Sequence, residues 1–157
     1  MKALLLIIAV LFSANSFAGV DEADAAYDNG AYKKAFHLFK KAAEQNQAEA
    51  QNNLGLMYSN GEGTVQDYKK AFHLYKKAAE QNQADAQFNL GMMYGKGNGT
   101  VRNYVRAHMW WNITSAQYGD TEAQYNLGII ENEMTSADIS KAQNMARKCV
   151  ASNYKDC

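Results

Sequence analysis

The chain has 157 residues, 16 basic against 16 acidic side chains, two cysteines and no proline. A neutral balance with no basic stretch argues against a nucleic-acid binder. The absence of proline and of Gly/Ser-rich linkers points to one body of modest size with a real core.

In chain order, the first element is a leader. Met1-Lys2 is a positive start, Ala3 to Phe12 an unbroken apolar run, and Ser16-Phe17-Ala18-Gly19 a cleavage site of small residues. The run is about half of the roughly 20 residues a bilayer span needs, so a signal peptide (1–18), cleaved after Ala18, is expected rather than an anchor. Its removal leaves 139 residues with a formal charge of −1. The expected location is periplasmic or secreted, without stable membrane insertion once the leader is gone.

The rest of the chain repeats itself. Residues 32–47 and 68–83, offset by 36, differ only at Phe39 and Tyr75. AEAQNNLGLMY at 48–58 returns as ADAQFNLGMMY at 84–94, and more loosely as TEAQYNLGII at 121–130. A diverged copy of the first segment starts at Tyr104. Each unit holds two helical patterns. Ala50, Leu54, Met57 and Tyr58 fall on one stripe, and Ala71, Leu74, Tyr75, Ala78 and Ala79 follow the spacing of an amphipathic helix. Between them lie glycines suited to ending a helix, then Asp67 or Asn103 placed to cap the next.

Gly55, Gly91 and Gly128 interrupt the first helix of their units, at about 1 kcal/mol each relative to alanine. The expected return is close approach of the paired helix backbone, with Phe72, Tyr75 and Leu54 filling the spaces between pairs. One pair cannot bury its apolar face alone, so the units stack into an all-α solenoid. Four are expected: about 20–47, 48–83, 84–120 and 121–157. The first has a shortened connector, with four residues between Tyr27 and Tyr32 where nine separate Tyr58 from Tyr68. In the last, Thr135-Ser136-Ala137-Asp138 reads as a capping box that opens a helix through Ile139, Ala142, Met145, Ala146 and Cys149.

The period, the A-x-x-NLG-x-MY helix, the G-x-G-T-V connector and the Y-x-x-A-x-x-x-Y-x-x-A-A helix resemble Sel-one-like repeats, relatives of tetratricopeptide repeats. The closing MTSADISKAQNMARKCVASNYKDC resembles the terminal helix of small exported bacterial members. The resemblance implies a right-handed α/α superhelix acting as an adaptor or scaffold. Some cysteine-rich exported relatives have been associated with penicillin binding or β-lactamase activity, which gives an alternative reading: binding or hydrolysis of β-lactam or peptidoglycan-like substrates.

The residues give that alternative little chemistry. Ser152-Asn153-Tyr154-Lys155 is the one serine-lysine pair at β-lactamase spacing, and it lacks the S-D-N and K-T-G elements. No catalytic residue and no cofactor is expected. His37 and His73 sit at equivalent positions on the order of 10 Å apart by helix-packing distances, too far to share an ion. His108 is out of register with them, and no metal site is expected. Trp110 and Trp111 replace Leu74 and Tyr75 and read as core, with an exposed edge as the functional alternative. Cys149 and Cys157 are expected to form a disulfide that staples the C-terminal segment.

The expected function is protein or peptide binding through the concave face, lined by the first helix of each unit. Asn53, Asn89 and Asn126 form a polar ladder there, able either to pair with an extended peptide or to satisfy groups inside the stack. Tyr58, Tyr94, Gln51, Gln87 and Gln124 are secondary candidates, with packing or solvation as their other use. Lys33, Lys34, Lys40, Lys41, Lys69, Lys70, Lys76 and Lys77 read as a solvated outer face. The partner is an unidentified protein or peptide, not nucleic acid, and the chain is expected to be a monomer.

Overall fold

The computed structural model describes residues 19–157, so the expected leader lies outside the described residues. Among these residues there are eight helices and no strand. They are α1 (19–28), α2 (Tyr32–Glu44), α3 (Ala48–Asn60), α4 (Tyr68–Ala79), α5 (Ala84–Lys96), α6 (Tyr104–Tyr118), α7 (Thr121–Glu131) and α8 (Ser136–Ala151). No helix among them is long and apolar enough to cross a membrane.

Side chains cap the starts of α4, α6 and α8, and glycines end α3 and α5. Asp67 and Asn103 accept the backbone N–H of Lys70 and Arg106 at 3.0 Å, and Thr135 accepts that of Asp138 at 3.1 Å. Gly61 and Gly97 end α3 and α5 in the left-handed conformation, φ +76° and +75°. The connector then folds back: an added Cβ at Gly63 or Gly99 would strike the Tyr32 or Tyr68 carbonyl, so only glycine lets it lie against the start of the preceding even helix.

The two inner odd-numbered helices each pack between two even-numbered ones, α3 against α2 and α4 and α5 against α4 and α6, whereas α7 and α8 both pack on α6. The all-α solenoid follows from that alternation. Ala50, Leu54 and Met57 of α3 and Ala71, Tyr75, Ala78 and Ala79 of α4 are buried as their spacing predicts, whereas Leu74 is only half-buried.

The interior glycines work differently from the expectation. They admit an aromatic ring, not a second backbone. An added Cβ at Gly55 would lie 2.9 Å from Tyr75 Cε1, and one at Gly91 only 2.5 Å from Trp111 Nε1. Tyr75 therefore seats within its own pair instead of between pairs. Gly128 meets nothing within 4 Å. The ring position of α4 and α6 is Ala146 in α8, and α8 leans on α6.

Successive units are also latched by amides. Gln51 donates to Asn46 Oδ1 at 3.0 Å, across a unit boundary, and accepts from Gln81 of its own unit at 2.7 Å. Gln87 repeats the first bond to Asn82 at 3.2 Å. Asn46 and Asn82 present their side chains from left-handed backbone, φ 63° and 64°. Gln117 stands where a third copy of Gln81 would, but it accepts from Tyr154 at 2.6 Å. Gln87 Oε1 is consequently buried without a hydrogen-bond partner.

Cys149 and Cys157, eight positions apart, are disulfide-bonded, and Arg106 donates to the Cys157 carbonyl at 2.9 Å. Reduction is expected to lower stability by about 2–3 kcal/mol on the loop-entropy model. Urea denaturation with and without dithiothreitol measures it, and an unchanged midpoint would show that Arg106 and Tyr154 hold the segment unaided.

Candidate functional site

The face of the odd-numbered helices carries the asparagine ladder, and the ladder is hydrogen-bonded to itself. Asn53 donates to Asp24 on α1 at 3.0 Å, Asn52 to Asn53 at 3.2 Å, and Asn89 on α5 to Asn52 at 3.1 Å. The amide N–H groups of Asn53 and Asn89 thus tie α1, α3 and α5 together. Asn126 stands apart, its amide 3.7 Å from Met92 Sδ. Asn52, which joins two rungs, has no amide counterpart in the later copies, where the position is Phe88 and Tyr125. Inspection of equivalent positions alone therefore misses it.

This face changes character along its length. At the α1 end Asp21, Asp24, Asp28 and Glu49 gather. Burial raises the Asp24 carboxyl above its ordinary value, Asp28 and Asp21 add to the rise, and the Asn53 amide opposes it. Glu49 is likewise raised by burial, then by Asp24, Asp21 and Asp85. At the other end the face carries apolar groups open to solvent. Phe88 and Met92 are half-buried, and one unit on Tyr125 is 71% and Ile129 48% exposed. Between α3 and α5 lies a cleft of about 240 Å³, whose lining includes Leu56, Phe88, Asn89, Met92 and Lys96.

The other candidates lie elsewhere. Tyr58 packs edge-on against Phe36 at 5.3 Å with the Lys70 ammonium over its ring, on the side of the even helices. Tyr94 is 9% exposed and shut against Phe72, with the Arg106 guanidinium over it. Gln51 and Gln87 are buried latch residues, whereas Gln124 is exposed. Trp110 and Trp111 are 2% and 4% exposed, so neither offers an edge to a partner. The eight lysines are all exposed, as expected.

His37 lies edge-on to Phe36, and His73 borders a groove between α2 and α4. His108 is fully buried with Nε2 2.7 Å from Glu131 Oε1, a carboxylate at the position held by Tyr58 and Tyr94 in earlier copies. Ser152 sits at the end of α8, donating to the Cys149 carbonyl and accepting from the Asp156 amide. Its hydroxyl belongs to that turn.

Comparison with known proteins agrees with this architecture. The chain is similar to a protective antigen of uropathogenic Escherichia coli with an SLR fold: TM-score 0.83, 27% identity, 88% of this chain and 31% of the antigen. A Sel1 repeat protein from Oxalobacter formigenes matches with a TM-score of 0.64 and 33% identity over 74% of this chain and 44% of its own. HcpE of Helicobacter pylori, whose name records a β-lactamase activity only as a supposition, is 47% identical over 53 residues, 34% of this chain. The chain thus spans under half of each of these proteins, and only 14% of HcpE. The Sel1 repeat model matches residues 25–47, 48–83, 84–118 and 121–149, and the chain belongs to the Sel1 repeat family.

Proposed function

We propose that the protein is an exported interaction module, not an enzyme, that binds an extended protein segment along the concave face of its odd-numbered helices. Sel1 repeats typically mediate protein–protein interaction. The observation that carries the reading is the row of Phe88, Met92, Tyr125 and Ile129, exposed or half-buried in one register beside the amides of Asn89 and Asn126. The acidic α1 end adds polarity. A segment with basic residues over Asp21, Asp24 and Glu49 and large apolar residues over α5 and α7 complements both ends. Asn89 and Asn126 keep their carbonyl oxygens for a bound backbone, while each amide nitrogen donates one hydrogen bond within the stack. The module acts as a monomer in the periplasm or outside the cell.

Two measurements test this. N-terminal sequencing of protein recovered outside the cytoplasm should begin at Gly19; Met1 there would refute cleavage after Ala18, and recovery from the cytoplasm alone would refute export. Capture from envelope extract should then compare the wild type with a Tyr125→Asp, Ile129→Asp double variant. Both side chains are exposed, so the fold should survive, as circular dichroism would verify. A partner kept by the wild type and lost by the variant is expected. Equal retention would move the site off this face, and capture of nothing would count against an interaction module.

A further inference from the structure

We propose a second binding site on the opposite side of the molecule: the groove between α2 and α4, floored by α3, receives a bulky apolar side chain from an acidic protein segment. The groove holds about 320 Å³. Ala43, Leu54, Tyr58 and Leu74 make it apolar, and Lys40, Lys70, Lys77 and His73 stand around it with a single carboxylate, Glu44.

The repeat itself supplies the comparison. Residues 36 positions further on form the equivalent interval between α4 and α6, over α5. There the counterparts of His73, Leu74 and Lys77 are Met109, Trp110 and Ile113, which are 0%, 2% and 2% exposed. They join Ala79, Leu90 and Tyr94, the counterparts of Ala43, Leu54 and Tyr58, in one buried cluster. The same scaffold thus accepts an indole in its second interval and seals around it. In the first interval Leu74 stops short, which is why it is half-buried despite lying on the predicted core stripe. The groove is a repeat interval whose filling side chain none of the described residues supplies.

Charge identifies what brings that side chain. The sealed interval has Ile113 where the open one has Lys77. Lys70 is held at one end by Asp67 at 3.2 Å and by the Tyr58 ring at 5.1 Å. Lys40 and Lys77 have no ion-pair partner among the described residues. Two unpaired lysines, Lys40 and Lys77, against the one carboxylate of Glu44 favour carboxylates on the incoming segment. Trp110, the natural filler, is a side chain on a polypeptide, which favours a peptide over a lipid.

The test uses a blocked pentapeptide, a tryptophan flanked by two aspartates on each side, titrated into isotope-labelled protein while amide NMR shifts are followed. Saturable shifts at Ala43, Leu54, His73 and Leu74 are expected. Lys40→Glu with Lys77→Glu should weaken binding about tenfold, the size expected for reversing two exposed charges. Leu74→Trp should abolish it by filling the groove as Trp110 fills the next interval. If that variant fails to fold, the lysine pair, both exposed, decides alone. The proposal is overturned by equal binding of a lysine-flanked peptide, by binding that survives Leu74→Trp in the folded protein, by shifts confined to Tyr125 and Ile129, or by no saturable shift. Dodecanoate occupying the groove while the peptide does not would also overturn it. None of these outcomes counts against the concave-face reading, because the variants lie on the even-helix side.

Discussion

Gly91→Ala is expected to destabilise the protein by about 2 kcal/mol, while Gly128→Ala, at the same place one unit later, should stabilise it by up to about 1 kcal/mol. Both glycines lie inside a helix, so alanine gains the same helix propensity at each, about 1 kcal/mol. The surroundings reverse the sign. A Cβ at Gly91 would sit 2.5 Å from Trp111 Nε1 and 2.7 Å from Cδ1. The indole is 4% exposed and donates to the Phe88 carbonyl at 3.2 Å, so it cannot retreat without giving up a partly buried hydrogen bond. Overpacking of this kind costs roughly 1–3 kcal/mol, and the strained hydrogen bond adds about 1. At Gly128 nothing lies within 4 Å, and only the propensity gain remains. Gly55→Ala should fall between them, because Tyr75 meets it at 2.9 Å and is held at its far end only by a 3.4 Å contact with Ser59. Urea denaturation of the three variants measures the series. A shift of the same sign at Gly91 and Gly128 would sink the explanation.

The fold was legible in the chain because its signals are local. The 36-residue repeat, the apolar stripes, the caps at Asp67, Asn103 and Thr135 and the cysteine pair each depend on residues near one another in sequence. What could not be read is how one helix meets another. Helix spacing shows that Leu74 lies on an apolar stripe, but not that a groove stays open over it. That depends on the bulk of residues 73, 74 and 77 against α2, one repeat upstream. Glycine periodicity shows that something comes close, but not that it is a ring. The asparagine ladder was visible as a repeat, yet its link through Asn52 falls at a position where the other copies are aromatic. The apolar row at Tyr125 and Ile129 was missed for a related reason. By pattern α7 resembles α3 and α5, and its exposure follows from the way α8 leans on α6.

The largest single loss is expected from Trp110→Ala, about 4 kcal/mol, within the range for emptying a buried tryptophan site. Trp110 is 2% exposed and belongs to the cluster that joins the α3–α4 pair to the α5–α6 pair. In a solenoid, stability resides in such interfaces as much as in the pairs themselves, so the cavity weakens the coupling between the two halves. Leu74→Ala at the corresponding position should cost only about 1 kcal/mol, because a half-buried side chain has less contact to lose. Denaturation followed by circular dichroism gives both values, with the fluorescence of Trp111 reporting on the α5–α6 pair in the Trp110 variant. The difference between the two substitutions measures how far the first interval is open in solution. If Leu74→Ala costs as much as Trp110→Ala, the first interval is already closed by its own side chains and has no room for a partner's. If the difference holds, the near-identical repeats have diverged at this interface, one interval sealed for stability and the other left with an unfilled apolar floor.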